Sequence, residues 1–283
     1  MQIITTIAET KKICRTWQKQ GLTIGLVPTM GYLHEGHISL MRSARTETDR
    51  VVATIFVNPT QFGPNEDFER YPRNFESDAA MAKEAGVDIL FCPEVAEMYP
   101  PGYISYVEPA GLTDMLCGAS RPGHFRGVAT VVLKLFEIVR PDVAVFGQKD
   151  YQQQLVIRRM VQDLHVPVRI VTEPTVREPD GLAMSSRNRY LDPDERRAAL
   201  VLYRALARAR EAVLGGESSA NRVRQILGET IESNERVHLD YAEVADADTL
   251  EPLDRLGPGI RAVALVAARV GSTRLIDNLA LTE

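Results

Sequence analysis

Cysteine is scarce in this 283-residue chain: Cys14, Cys92 and Cys117 lie far apart and form no C-x-x-C pair. That argues against a disulfide framework and a thiolate zinc site, and it fits a reducing compartment. Long apolar runs are missing as well. VVATIFV at 51–57 falls far short of the roughly 20 residues a membrane-spanning helix needs. The N-terminal MQIITTIAETKK has no basic start followed by a long apolar stretch, so it does not read as a signal peptide. A cytosolic, membrane-free protein is expected. Net charge of one sign is small, −5, which gives no bulk push toward nucleic acid or an anionic membrane. Two phosphate-binding fingerprints are absent too: no G-x-G-x-x-G follows the first strand, and no G-x-x-x-x-G-K-[ST] occurs. A nucleotide, if bound, is held some other way.

What is present is an ordinary globular composition, 45% hydrophobic and 25% charged, patterned as alternating short apolar runs and helical periods. TIGLVP (23–28), VVATIFV (51–57), DILFCP (88–93), DVAVFG (142–147) and VRIVTEPT (168–175) read as strands. Helical segments separate them at 37–49, 74–86, 127–139 and 151–164. Buried strands alternating with helices predict a parallel sheet covered on both faces, that is, an α/β doubly wound (Rossmann-like) domain over 1–175. Its ligand belongs beyond the carboxyl ends of the strands. After a long polar connection at 176–191, Asp192-Pro193-Asp194-Glu195 combines an N-cap, a proline at the first helical position and a capping glutamate. Helices at 193–214 and 218–232 and three strand-like segments then predict a smaller α+β domain over 176–283 that covers the site.

Four polar clusters follow strands or join the domains. In PTMGYLHEGHISL (28–40), His37 shares a helical face with Leu40, Met41 and Ala44. The histidines stand three apart, whereas the zincin motif places them four apart on a formed helix. A phosphate site at the helix start, a metal site and a plain turn all remain open. FVNPTQFGPNEDFERYPR (56–73) places Asn58 and Gln61 directly after a strand, as site residues or as a proline-stiffened surface turn. In FGQKDYQQQ (146–154), Asp150 and Gln153 suit a capping box, and Gln153 heads a stripe with Ile157, Met160, Val161 and Leu164. Lys149, beside a helix start, suits a polyphosphate. AMSSRNRYL (183–191) supplies Ser185, Ser186, Arg187 and Arg189, to wrap phosphate or as a solvated loop. RPGHFRG (121–127), with Arg121, His124 and Arg126, either lines a site or is a glycine-bounded loop with solvated charges.

The HxGH segment at the first strand–helix turn, with a late serine-containing loop, resembles the nucleotidylyltransferase superfamily. The MSSR segment is similar to the lysine-serine loop of its class I aminoacyl-tRNA synthetases. PTMGYLHEGH, FVNPTQF, RPGHFRGV, FGQKDYQQ and MSSRNRYL, in that order from 28 to 191, resemble the blocks of the pantothenate synthetase (pantoate–β-alanine ligase) family. The resemblance implies an ATP-dependent, amide-forming ligase that passes through an acyl adenylate. It implies that His34 and His37 contact ATP phosphates, with His37 as proton donor, and that Lys149, Ser185, Ser186 and Arg187 stabilise the transferring phosphate. Met30, Gly31, Tyr32, Leu33, Glu35, Gly36, Gly147, Gln148, Asp150, Val176 and Met184 fall at ATP contacts. Gln148 stands where the family usually has glutamate. Gln61, Gln153 and Met30 fall at the pantoate position, and Gln61, Asn58 and Tyr71 at the β-alanine position. Mg²⁺ is implied through ATP oxygens and water rather than dedicated ligands, and a homodimer is implied as the assembly. An adenylyltransferase acting on a phosphate monoester is the alternative that shares the histidine motif. Neither reading involves nucleic acid or membrane.

Overall fold

The structure, a computed structural model, describes residues 1–282. It divides into two compact units, the first made of Met1–Gln148 and Val156–Pro174, the second of Lys149–Leu155 and the chain from Thr175. In the first unit the elements run β1 (Gln2–Ile4), α1 (Ile7–Lys19), β2 (Ile24–Val27), α2 (Glu35–Glu47), β3 (Arg50–Thr54), α3 (Phe75–Glu84), β4 (Ile89–Phe91), α4 (Val95–Met98), α5 (Cys117–Ser120), α6 (His124–Val139) and β5 (Val143–Gly147). Then come α7 (Tyr151–Asp163) and β6 (Arg169–Glu173).

The doubly wound parallel sheet expected from the alternating pattern is present, with six strands rather than five. Its order is β1-β4-β3-β2-β5-β6. Every residue of β2 is buried, as parallel strands covered on both faces require. Leu40, Met41 and Ala44 of α2 join Val27, Val51, Ala53, Leu90, Val143 and Val145 of the strands in one apolar cluster. The unanticipated β1 is three residues long and pairs Gln2, Ile3 and Ile4 with Ile89, Leu90 and Phe91, too short to show a period. The unanticipated α1 is opened by Thr6, whose hydroxyl accepts from the Glu9 N–H at 3.4 Å. On α7, Ile157 and Met160 are buried, but Leu164 is 52% exposed, because the helix has already ended at Asp163.

Strand order reverses between β2 and β5, which lie side by side at the middle of the sheet. A reversal of this kind opens a crevice outside the carboxyl ends of the strands. The segments that leave β2, β3 and β5 there are 28–34, 55–74 and 148 onward.

The second unit holds α8 (Pro193–Leu214), α9 (Ala220–Glu232), β7 (Val237–Asp246), β8 (Ala262–Val270) and β9 (Thr273–Ala280), with the strands in one antiparallel sheet of order β7-β8-β9. The capping box read from the sequence starts α8: Asp192 accepts from the Asp194 and Glu195 N–H groups, and Glu195 accepts from the Asp192 N–H. Leu202, Leu206, Leu227 and Ile231 pack against Val244, Ala264 and Val266 of the sheet.

Candidate active site

The β2 exit is built first by two threonines. The Thr29 hydroxyl donates to the Thr54 carbonyl, the Thr29 N–H donates to Thr54 Oγ1 at 3.1 Å, and Phe56 N–H donates to the Thr29 carbonyl at 3.1 Å. These bonds tie the end of β2 to the end of β3. The chain then turns through left-handed residues, Gly31 at φ +87° and Tyr32 at φ +51°. A side chain at Gly31 would bring its Cβ to 2.9 Å from Ile55 Cγ2, so only glycine fits there. The turn is held from below by Asp78 of α3, a 2% exposed carboxylate that accepts from the Tyr32 N–H at 2.8 Å and the Leu33 N–H at 2.7 Å.

His34 is the extended N-cap residue of α2, and His37 occupies the third helical position. Their rings stand 4.1 Å apart between centroids. The His34 N–H donates to His37 Nδ1 at 3.3 Å. A ring nitrogen that accepts carries no proton, so the imidazole proton of His37 resides on Nε2, which makes Nε2–H a donor. The helix starts at Glu35, and the predicted buried stripe of Leu40, Met41 and Ala44 lies below the half-buried His37.

The β3 exit is not a surface turn. Asn58 is 1% exposed and Gln61 9% exposed, and Pro59–Gln61 form a single 3₁₀ turn. The RPGHFRG segment packs directly on it. A Cβ on Gly127 would lie 2.3 Å from the Thr60 carbonyl oxygen, so the close approach of α6 depends on glycine. Arg121 grips Glu66 with Nε and Nη2, each at 2.6 Å, and donates from Nη2 to the Gln61 carbonyl at 3.3 Å. Its Nη1 lies 2.9 Å from His124 Nε2, and His124 Nδ1 lies 2.8 Å from the same Gln61 carbonyl. A guanidinium only donates and a carbonyl only accepts, so His124 is neutral with its proton on Nδ1. Burial alone would raise the Glu66 carboxyl, but hydrogen bonds and charge from Arg121 outweigh it and hold Glu66 below the ordinary range. Of the two readings left open for RPGHFRG, solvated charge therefore fails for Arg121 and His124; of the three, only Arg126 is exposed. Gln61 Nε2 reaches Met30 Sδ at 3.4 Å, so the β2 and β3 exits meet there. Tyr71 is buried, edge-on to Phe62 at 6.0 Å.

Gly147 ends β5 and Gln148 opens the 3₁₀ turn Gln148–Asp150, both in the first unit, whereas Lys149 and Asp150 belong with the second. There the Lys149 carbonyl accepts from Asn278 Nδ2 at 2.9 Å, and its ammonium stands 3.7 Å from Asp150 Oδ1. Gln153, on the same segment, is half-buried. The 176–184 stretch folds back on itself: the Met184 N–H donates to the Val176 carbonyl at 3.0 Å, and Arg177 bridges Ala183. Arg177 is anchored by Asp277 through contacts of 2.6 and 2.9 Å. The Ser185 hydroxyl accepts from the Arg187 N–H at 3.3 Å at the head of the 3₁₀ turn Ser186–Tyr190, and Ser186 is buried.

A model described as pantoate-beta-alanine ligase matches residues 2–280. The chain belongs to the pantoate-beta-alanine ligase family. It is 57% identical over 281 residues to the pantothenate synthetase of Moorella thermoacetica, covering 99% of each chain. The crystal structure of pantothenate synthetase from Thermus thermophilus superposes with a TM-score of 0.93 at 48% identity, over 100% of both chains. The pantoate-beta-alanine ligase of Francisella tularensis, solved in complex with beta-gamma ATP and beta-alanine, matches with a TM-score of 0.80 at 35% identity, over 99% of this chain and 98% of that one.

In this pantoate-beta-alanine ligase several positioning side chains escaped the sequence reading. Asp78, Asn278, Asp277 and Glu66, the partner of Arg121, carry no local signal, since each acts on a partner far away in the chain. Asp78→Asn removes one charge-assisted acceptor from the Tyr32–Leu33 turn. It is expected to lower Tm by about 5 °C in a thermal melt, from a loss of roughly 2 kcal/mol. An unchanged Tm would show that the turn holds without the carboxylate.

Proposed function

We propose that this ligase condenses pantoate with β-alanine to give pantothenate through a pantoyl adenylate, with consumption of one ATP. A pantoate carboxylate oxygen bonds to the α-phosphorus of ATP, and the bond to the β-phosphate breaks to release pyrophosphate. The β-alanine nitrogen then bonds to the acyl carbon, the acyl–oxygen bond to AMP breaks, and the amine sheds its proton. Neither step asks for a protein nucleophile, so the task is alignment and charge neutralisation. The observation that carries the reading is the His37 donor at the first turn of α2, on the crevice side of β2. A helix start with an added Nε2–H is a receptor for phosphate oxygens.

In this reading His34, His37 and the 30–36 backbone hold the ATP phosphates, with Gly147, Gln148, Asp150, Val176 and Met184 along the nucleotide. Lys149, Ser185, Ser186 and Arg187 neutralise charge on the transferring and leaving phosphates. Gln61 and Gln153, with Met30 beside them, hold pantoate. Gln61, with the buried Asn58 behind it, and Tyr71 serve the β-alanine side. Among the described residues no group of three or more His, Cys, Asp or Glu is assembled for a metal. Mg²⁺ in this reading sits on phosphate oxygens and water, where it screens phosphate charge. Among the described residues no helix is long and apolar enough to cross a membrane; we place the reaction in the cytosol and the active species as a homodimer.

The test is AMP formation with pantoate, β-alanine and ATP, each omitted in turn, together with pyrophosphate exchange into ATP. AMP release is expected only with all three, and exchange only with ATP and pantoate. Exchange without pantoate, or transfer of AMP onto a phosphate monoester, would overturn the assignment.

A further inference from the structure

Beneath Gln61 lies a buried hydrogen-bond network in which the orientation of two side-chain amides follows from their backbone partners. Asn58 Oδ1 accepts from the Thr60 N–H at 3.3 Å, the Thr60 hydroxyl at 2.9 Å and the Tyr99 hydroxyl at 2.9 Å. Asn58 Nδ2 donates to the Gly127 carbonyl at 3.2 Å and to the Gln61 side-chain amide at 3.0 Å. A backbone N–H only donates and a backbone carbonyl only accepts, so the Asn58 amide has one possible orientation. Its Nδ2 must then face an acceptor on Gln61, namely Oε1. That turns Gln61 Nε2 toward Met30. With both ends of its amide engaged and 1% exposure, Asn58 acts through Gln61 rather than on a ligand directly.

Tyr99 is the outer anchor of the network. Its ring lies in a ladder between Phe56 at 6.2 Å and Tyr103 at 5.0 Å, with the Lys134 ammonium 5.2 Å from its centre. Burial pushes its phenol up to about 12, so at any ordinary assay pH the hydroxyl retains the proton it donates. The threonine and tyrosine hydroxyls both lie within hydrogen-bond reach of Asn58 Oδ1 and stand 3.3 Å from each other. Losing the tyrosine removes the only member of that pair anchored outside the 58–61 turn.

We infer that Tyr99 is a positioning residue: by holding Asn58 from outside the 58–61 turn it keeps the Gln61 amide in the orientation that the Thr60 N–H and the Gly127 carbonyl impose, so that the site offers N–H donors, not a carbonyl, to the oxygens of an anionic hydroxy acid. A donor at that point favours carboxylate and hydroxyl oxygens and disfavours an amine, so the network sorts the acid from the amine substrate at one side chain. This rests on the pantoate reading of Gln61 given above.

The experiment measures KM for pantoate and for ATP, and kcat, in the wild type, Tyr99→Phe and Asn58→Asp. Tyr99→Phe is expected to raise the pantoate KM about tenfold, the equivalent of one hydrogen bond. The ATP KM stays within about twofold and kcat within about threefold, because the network does not touch the phosphate donors. Asn58→Asp cannot donate to Gln61 Oε1, so the Gln61 amide turns over. The pantoate KM then rises further, about thirtyfold, the scale of a lost bond plus a misdirected carbonyl. A melt of each variant separates this from unfolding, which lowers Tm and the apparent kcat and leaves both KM values in place. A pantoate KM within about twofold of wild type in Tyr99→Phe, or equal rises for pantoate and ATP, would overturn the positioning role. Wild-type activity independent of pantoate would instead overturn the substrate reading.

Discussion

Replacing His37 with alanine is expected to lower kcat at least about a hundredfold, the effect of losing one preorganised donor to developing charge, about 2.7 kcal/mol. Two functions disappear together. The Nε2–H is lost as the proposed phosphate donor, and Nδ1 is lost as the acceptor for the His34 N–H. The first bears on chemistry, the second on the start of α2. His37→Gln separates them, because a glutamine at the third helical position can accept from the N-cap N–H and still present an amide donor. If hydrogen bonding is what His37 supplies, the glutamine variant recovers about tenfold over alanine with the wild-type Tm. If His37 must transfer a proton, glutamine stays at the alanine rate. A wild-type rate in His37→Ala would remove this side chain from the mechanism. Single-turnover measurement of pantoate-dependent AMP formation reads the step directly.

Lys149→Ala is expected to cost a similar factor, at least about a hundredfold in turnover. The loss should fall in the adenylation half-reaction, where negative charge spreads over the transferring phosphoryl group. The Lys149 backbone is held by Asn278, so truncating the side chain leaves the segment in place and removes only the cation. The loss of its 3.7 Å contact with Asp150 matters little to stability, since a part-exposed ion pair contributes about 0–1 kcal/mol. An unchanged Tm with collapsed pyrophosphate exchange is therefore the signature expected. Lys149→Arg keeps the charge but spreads it over a planar fork, and is expected to restore only part of the rate. Wild-type exchange in the alanine variant would count against the assigned role.

Much of this architecture was legible in the residues. The apolar runs at β2 through β6 and the helical periods between them are local patterns, and each appears where its period placed it. The capping box at Asp192 is likewise a contact over three residues. The motif blocks were visible because strand-to-helix turns compress polar residues into short windows. What escaped was either too short or too distant. β1, at three residues, shows no period. Asp78 meets the turn before His34 across 45 and 46 residues, Tyr99 meets Asn58 across 41, Arg121 meets Glu66 across 55, and Asn278 meets Lys149 across 129. The surface-turn alternative for Asn58 failed for the same reason: its burial is created by α6, whose Gly127 carbonyl lies 69 residues away.

By itself, then, the sequence determined the order and type of the main elements, the doubly wound class and the polar motif blocks that point to the family. Those depend on periodicity and on contacts within a turn or two. Only the tertiary structure decided which end of the Gln61 amide faces Met30, which nitrogen of His37 carries the proton, and which buried carboxylate holds the turn before α2. Each of these is set by a hydrogen bond whose geometry exists only in the folded chain. A donor or acceptor has no fixed direction until its partner is in place.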